Sequence, residues 1–359
     1  MSDPKRFFST DDLSALDAKV AAQRLAFGPV AFQACRVLRQ TGILEIVRQA
    51  GDPGLTLAEV VAKGSVPRYG VKVLLEAGLG IGLFRHDQDR FILTRLGYFM
   101  LRDPMTRINM DVVHDICYRG FYHLDEALAT GRPAGLPTLG NWETFYQGLS
   151  ALPEPARASW LAFDHYYSDQ AFPAALPLVF ADRPQQLLDV GGNTGRWAMQ
   201  CVGYDPTVRV TIADLPPQLE LARTALQSGD GTERVAFHPV DLLDERQELP
   251  GGYEVIWMSQ FLDCFSEAQI VSILKRAARA LGDNGTLHIL ELFWDRQPNE
   301  TAAFCLQQTS LYFACIANGN SQMYHSEDLL RCLREAGLQV IEQRDQVGQF
   351  HTWLKCRRA

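Results

Sequence analysis

Apolar positions change their period near residue 180. Before that point they recur every three or four residues, the spacing of helices with one buried face. Residues 13–26 read as one helix with Ser9 or Thr10 as its cap, and Pro29 opens a second that runs to about Thr41. A third covers 43–50. Leu55-Thr56 leads into a helix over 57–63, and Val66-Pro67 opens another over 67–79. The segment 82–94, GLFRHDQDRFILT, reads as a β-hairpin with a polar turn at His86 to Asp89. Three helices followed by a hairpin make a winged helix. Residues 107–172 read as further helices, broken by glycine and proline at 131–133 and 135–140. After Pro184, short apolar runs alternate with helical segments. Strands are expected at 186–190, 208–214, 235–239, 253–259, 285–291, 340–347 and 350–356, and helices at 217–227, 266–281 and 326–336. That alternation predicts a doubly wound, Rossmann-like α/β domain. The last two strands, separated by Gly348-Gln349, predict a hairpin with one antiparallel strand.

The first two of these strands carry the chemistry. LLDVGGNTG (187–195) is an apolar strand, an acid and a Gly-rich turn, followed by a helix whose N-terminus is offered to a ligand. VRVTIADLP (208–216) is a second strand ending in an acid, Asp214. Strand, Gly-turn, helix, strand and acid make a nucleotide-binding βαβ unit. A pyrophosphate fits it poorly. Counting from Gly191, the third and sixth positions of the dinucleotide fingerprint are Asn193 and Arg196, not glycines, and no Walker sequence is present. The acid at the first strand end, Asp189, suits a cationic ligand. S-adenosylmethionine carries a sulfonium, an ammonium and a ribose but no phosphate. The competing reading is a doubly wound sheet without a ligand.

Composition narrows the class. With 359 residues, 47% of them apolar and 21% charged, the chain has room for two domains and a large core. A net charge of -8 argues against a general nucleic-acid binder. No run of eighteen apolar residues marks a membrane span. The first seventeen residues lack a signal-peptide core and hold four aspartates. Eight scattered cysteines form no C-x-x-C pair, which argues against zinc or any other bound metal and for a reducing compartment, the cytoplasm. The expected recognition helix of the winged helix carries only Arg68 and Lys72 against Glu76. DNA affinity needs many phosphate contacts, so a structural or dimerising role is expected for it. Aromatic residues cluster between 142 and 167, among them Trp160, Tyr166 and Tyr167; core packing and the wall of a pocket for a flat apolar substrate are both open to them.

On these residues the chain resembles the class I S-adenosylmethionine-dependent methyltransferases. Within them it resembles the small-molecule O-methyltransferases related to plant caffeate and bacterial polyketide enzymes. The resemblance rests on DVGGNTG (189–195), ADLPP (213–217), VDLLD (240–244) and FSEAQIVSILKRAARAL (265–281), and on GTLHILELFW (285–294) and HSEDLLRCLREAGL (325–338). It covers nearly the whole chain. It implies a homodimer built through an N-terminal winged-helix domain (1–105), pocket helices (106–180) and a cofactor-binding domain (181–359). The implied cofactor is S-adenosyl-L-methionine, with S-adenosyl-L-homocysteine as product. Gly191, Gly192 and Gly195 would line its methionine part, beside Asp189. Asp214 and Leu215 would take the ribose diol, where a carboxylate accepts two O–H hydrogen bonds; a helix cap or solvated acid is the alternative for Asp214. Asp241 and Leu242 would hold the adenine, and Ser259 and Gln260 would lie on the path to the transferred methyl.

The family's catalytic residues carry over less well. Where the family usually has His-Asp-Trp-Ser-Asp, this chain has Asp263-Cys264-Phe265-Ser266-Glu267, so Asp263 stands in place of the histidine that deprotonates the acceptor. The glutamate that orients the histidine matches Glu291, and a second family glutamate aligns near Met323. An ordinary aspartate is a weak base at pH 7. Burial beside Glu291 would raise its pKa and make it a usable base. The alternative for Asp263 is a cap on the helix beginning near Ser266. Both acids are expected to face the transferred methyl. Of the histidines, His165 among the pocket aromatics and His325 near the closing loop are the candidates to substitute; His288 reads as packed within a strand.

The expected function is therefore methyl transfer to a small aromatic or polyketide-like acceptor, at a hydroxyl oxygen. Carbon methylation of an electron-rich phenol, or cofactor binding without methyl transfer, are the alternatives that the missing histidine raises. The substrate contacts would include His165, Tyr166, Tyr167 and Met323.

Overall fold

The computed structural model describes residues 7–227 and 229–359. The signal-peptide reading of the N-terminus falls partly on residues 1–6, outside the described residues. The described residues divide into two compact units, one of residues 10–113 and one of residues 7–9 with 114–359. The helices over 114–182, which the sequence suggests as a separate segment, group with the sheet that follows them.

The smaller unit holds α1 (Ala15–Ala26), α2 (Gly28–Gln40), α3 (Ile43–Ala50), β1 (Leu55–Thr56), α4 (Leu57–Lys63), α5 (Arg68–Ile81), β2 (Phe84–Asp87), β3 (Arg90–Leu93), α6 (Arg95–Arg102) and α7 (Pro104–Val112). Its core gathers Leu38, Leu44, Val47, Val60, Val71, Leu75 and Phe84. Thr56 and Glu59 close a capping box on α4, so two orphan amides are satisfied at the helix start. Two details differ from the sequence reading. Ser14, not Ser9 or Thr10, caps α1, because its side chain accepts from the Asp17 N–H. The hairpin turn is only two residues long. Gln88 and Asp89 both sit at positive φ, 46° and 64°, and that tight turn matches the strand twist, so His86 and Asp87 stay in β2. The three strands pair antiparallel in the order β1-β3-β2.

In the larger unit a one-turn α8 (Tyr118–Gly120) and α9 (Leu124–Thr130) precede a long α10 (Glu154–Val179). Then follow β4 (Gln186–Val190), α11 (Arg196–Tyr204), β5 (Arg209–Asp214), α12 (Pro216–Leu226), β6 (Val235–Pro239), β7 (Tyr253–Ser259) and α13 (Glu267–Ala280). The chain closes with β8 (Leu281–Glu291), α14 (Glu300–Tyr312), α15 (Ser326–Glu335), β9 (Leu338–Val347) and β10 (His351–Arg358). Helix α14, which continues into a π-turn over Phe313–Ala317, is an element the sequence reading did not name.

The seven strands lie in the order β6-β5-β4-β7-β8-β10-β9. β4 to β8 pair in parallel, and β10 runs antiparallel to both its neighbours, as the Gly348-Gln349 break predicts. Both faces of the sheet are covered, so each central strand is apolar on both sides. Leu188, Ile256 and Met258 join one core layer with Ile270, Leu274 and Leu333. Leu187, Val255 and Trp257 join the other with Phe172, Ala175, Trp197 and Leu219. There Trp197 stacks on Trp257 with ring centres 4.1 Å apart. Strand order reverses on either side of β4. The carboxyl ends of β4, β5 and β7 therefore open onto a crevice where ligands bind in such sheets.

Candidate active site

The turn after β4 is shaped by two glycines for which no side chain has room. Gly191 sits at φ 74°, and a Cβ there would lie 2.2 Å from the Phe261 ring. A Cβ on Gly192 would lie 2.6 Å from Asp189 Oδ2. The backbone is thus exposed to whatever occupies the crevice. Asn193 N–H donates to Asp214 Oδ2 at 3.0 Å, and the Leu215 N–H donates to Asp214 Oδ1 at 2.7 Å. These two bonds tie the first turn to the end of β5.

The acids here are buried and strained toward neutrality. Asp189 is 2% exposed, and its Oδ2 has no hydrogen-bond partner. Burial, then the nearby Asp214 charge, pushes its pKa up to about 8. Burial raises Asp214 to about 6 against the two amides that favour its charge. Asp164, on α10, is pushed up to about 7 by burial, opposed by the Asn193 Nδ2 that donates to it at 2.9 Å. An orphaned carboxylate oxygen beside a second, half-buried acid needs a cation or a set of hydroxyl donors. Arg196, the nearest cation on the crevice wall, already pairs with Asp169. The site's chemistry thus suits a positively charged, hydroxyl-bearing ligand and not a phosphate.

The cavity is lined at one end by Asp189, Gly191, Gly192, Asp214, Leu215, Asp241, Leu242, Ser259 and Gln260, all expected from the sequence. Asp241 Oδ1 accepts the Leu243 N–H at 2.9 Å, which turns the chain sharply after β6. Gln260 sits at φ 48° and its Oε1 lies 2.7 Å from His351 Nε2. The Ser259 Oγ is buried without a partner. His165 also lines the cavity, with Nε2 3.2 Å from Thr194 Oγ1.

Six expected residues lie elsewhere. Gly195 begins α11 at φ 78°, and a Cβ there would meet Leu226. Tyr166 and Tyr167 pack on one another edge to face, 5.4 Å apart, and neither lines the cavity. Met323 is buried, its N–H donating to Ser310 Oγ. Asp263 and Glu291 are also off the cavity wall, against the expectation that both face it. Ser266 caps α13, so Asp263 is not its cap. Instead Asp263 sits in a short turn, Leu262–Cys264, 7% exposed. Glu291 Oε1 accepts the Phe261 and Leu262 N–H groups, at 2.9 and 2.8 Å. Burial raises both acids, and the Asp263 charge raises Glu291 further. His325 Nδ1 caps α15 by accepting the Glu327 N–H, and His288 packs against Trp353, its pKa pushed down to about 3 by burial.

Tyr146 and Trp160, from the aromatic cluster for which a pocket wall was one of two readings, line the cavity. The sequence reading missed Asp164, Cys264 and Asn318, which come to the wall from α10, a short turn and the end of the π-turn. An acid inside the aromatic run WLAFDHYY was the signal available for Asp164. Arg276 is a second omission. Though 2% exposed, it donates to the carbonyls of Leu242, Asp244 and Gln247, at 2.6, 3.2 and 3.0 Å, and so fixes the loop after β6.

The geometry agrees with what comparison to other proteins finds. Residues 19–91 match the Dimerisation2-like domain, and residues 175–339 match the O-methyltransferase domain. The chain belongs to this family of S-adenosylmethionine-dependent O-methyltransferases. Cephaeline 6'-O-methyltransferase of Carapichea ipecacuanha is 25% identical over 282 residues, 76% of each chain. The 3-amino-4-hydroxybenzoate 4-O-methyltransferase of Streptomyces cremeus is 25% identical over 323 residues, 86% of this chain and 82% of its own. Among solved structures, the S-adenosylmethionine-dependent methyltransferase SibL in its apo form superposes with a TM-score of 0.71 at 25% identity, over 94% of this chain and 98% of SibL. The mitomycin 7-O-methyltransferase MmcR shares the fold, with a TM-score of 0.73 at 19% identity over 95% and 98% of the two chains. Among the described residues no helix is long and apolar enough to cross a membrane.

Proposed function

We propose that this cavity binds S-adenosyl-L-methionine and a small aromatic acceptor, and that the enzyme methylates a hydroxyl oxygen of that acceptor. The observation that carries the reading is the unpartnered Asp189 carboxylate beside Asp214 on the cavity wall. Gly191 and Gly192 would receive the amino-acid part of the cofactor, Asp214 and Leu215 its ribose, and Asp241 and Leu242 its adenine. The cofactor supplies a methyl carbon activated by a sulfonium. Tyr146, Trp160, Phe261 and Phe265 offer flat apolar surface to the acceptor and exclude water. Asp263 is the base, its pKa raised by burial, and Glu291 holds the loop that carries it. Relatives named for a hydroxynaphthoate and an aminohydroxybenzoate substrate support an aromatic acceptor.

Functionally we divide the chain into a dimerisation segment (1–105), pocket helices (106–180) and a cofactor domain (181–359). The match to a Dimerisation2-like domain supports a homodimer. Eight unpaired thiols support a reducing, cytoplasmic setting. The test is calorimetry with S-adenosyl-L-homocysteine on wild type and Asp214→Ala, together with a product assay on phenols. Micromolar binding that the substitution weakens at least tenfold is expected. No binding by wild type, or binding that ignores Asp214, overturns the assignment. Locating the methyl group on the product separates oxygen from carbon methylation.

A further inference from the structure

Asp263 is off the cavity wall, while its neighbour Cys264 is on it. The Cys264 thiol donates to Asp263 Oδ1 at 3.4 Å. The Tyr146 and Tyr312 phenols, raised first by burial, lie near enough to the Cys264 thiol that its charge raises both further. Cys264 and Tyr146 both line the cavity; Asp263 does not. Each is held by its backbone. Asn318 Nδ2 donates to the Cys264 carbonyl, and Gln218 Nε2 donates to the Tyr146 carbonyl at 3.4 Å. Tyr312 packs edge to face on Phe145, with centres 5.7 Å apart. A cysteine kept in this way, on a cavity wall and bonded to a buried carboxylate, has a use beyond filling space.

We propose that Cys264 relays the acceptor's proton to Asp263, and that Tyr146 is the positioning residue that aims the thiol. The proposal rests on the methyl-transfer reading given above. As methylation proceeds, the acceptor O–H bond breaks and its electron pair stays on the oxygen. That proton binds the Cys264 sulfur while the Cys264 S–H proton moves to Asp263 Oδ1. The acceptor loses one O–H bond, Asp263 gains one, and the thiol ends as it began. Two conditions for such a relay are met. Burial pushes the Cys264 thiol up, so it remains an S–H at neutral pH. Burial also raises Asp263, which strengthens it as the terminal acceptor. The titratable groups facing this chain are Glu291 on β8, Asp164 on α10, Tyr312 on α14 and Tyr324 before α15, all acids or phenols. They leave the proton nowhere more favourable to go than a carboxylate.

The test uses the full-length enzyme, S-adenosyl-L-methionine and a series of para-substituted phenols of graded acidity. Cys264→Ala is expected to lower kcat about 10–100-fold on unactivated phenols, with S-adenosyl-L-homocysteine affinity unchanged. The loss should shrink on acidic nitrophenols, which ionise without help. Cys264→Ser should restore much of the rate, since a hydroxyl can relay. Tyr146→Phe should lower kcat less and shift the acid limb of the pH profile. An infrared difference spectrum of wild type against Cys264→Ser isolates the Cys264 S–H band. That band should move to higher frequency in Asp263→Asn, where a carbonyl accepts more weakly than a carboxylate. Full activity of Cys264→Ala on unactivated phenols, or an S–H band indifferent to Asp263, overturns the relay alone. A wild-type enzyme that binds the homocysteine product but methylates none of the phenols overturns the methyl-transfer reading, and the relay with it.

Discussion

Glu291 Oε1 receives the Leu262 N–H at 2.8 Å, so the end of β8 holds the loop that follows β7. The same oxygen takes the Phe261 N–H. The Phe261 ring in turn lies where a side chain on Gly191 would have to go. One buried carboxyl thus sets the cavity floor. Glu291→Gln keeps a carbonyl oxygen at that position and should unfold within a degree or two of wild type. Glu291→Ala leaves two amides unsatisfied and should lose about 2–4 kcal/mol. Thermal denaturation of the two variants distinguishes these outcomes. Equal losses would mean that the hydrogen bonds are not what holds the loop.

Cofactor binding should release protons. Burial and the Asp214 charge push the Asp189 pKa up to about 8, so at pH 7 it is mostly neutral. A cation entering the site favours its charged form, and the proton leaves. Calorimetry in buffers of different ionisation enthalpy should show release approaching one proton at pH 7. Affinity should rise with pH from about 6 to 8. Asp189→Asn should abolish the release and bind more weakly. Proton uptake, or a pH-independent affinity in wild type, would contradict this role for Asp189.

The cavity end lined by Asp189, Asp214 and Asp241 was legible because these acids stand at or just after strand ends. Asp189, Asp214 and Asp241 follow apolar runs, and chain order alone puts consecutive parallel strands side by side. Leu187 and Leu188 announce burial on both faces in the same way. Asp164 and Asn318 were not readable, because they are brought to the wall by tertiary packing of helices and loops whose spacing says nothing about one another. Asp263 shows the limit of aligning positions. The motif gives its place in the chain, but the one-turn helix Leu262–Cys264 turns Cys264 to the cavity and Asp263 inward. The hairpin turn shifted because two residues at positive φ suffice where a longer polar turn was expected.

The ligand-free protein should lose stability as pH rises from 7 to 8.5. Asp164 and Asp189 have folded pKa values of about 7 and about 8, well above the ordinary carboxylate value. Across that window the folded state binds protons that the unfolded chain has already released, so the slope of unfolding free energy with pH is negative. Below about pH 6.5 the neutral His288 and His351, both pushed down to about 3, add a slope of opposite sign. The window above 7 avoids them. Melting temperature should fall by several degrees between pH 7 and 8.5, and Asp189→Asn should flatten the dependence. A melting temperature that rises over this range would contradict the burial of these acids.

The N-terminal unit should dimerise through α1 and α2. No residue of α1 is buried, although Leu16 and Leu25 are 71% and 76% exposed, and Phe27 and Val30 are each 64% exposed. A patch of that kind marks an interface. Light scattering at micromolar concentration should give a dimer for wild type and a monomer for Leu16→Asp combined with Val30→Asp. A monomeric wild type would rule the interface out. Duplex DNA at low salt should not bind tightly, because α5 offers few cations for phosphates.

Asp263 should set the acid limb of the rate profile. Its carboxylate is raised by burial, and Glu291 beside it is raised further by the Asp263 charge. The sign follows from the role. A base acts only when deprotonated, so kcat on an unactivated phenol should fall as pH drops through the raised pKa of Asp263. Asp263→Asn removes the proton acceptor while keeping the shape of the turn. It should cost about 10²–10⁴ in kcat and leave S-adenosyl-L-homocysteine affinity nearly intact, since Asp263 does not line the cavity. The acid limb should disappear with the activity. Glu291→Gln should cost less, because the glutamine still holds the Phe261 and Leu262 amides. Steady-state rates of the three proteins between pH 5 and 9 decide the matter. An Asp263→Asn enzyme with wild-type rate and an unchanged profile would mean that no base at this position is used. The methylated atom would then have to be located, because a ring carbon needs no initial loss of a hydroxyl proton and an oxygen on an unactivated phenol does.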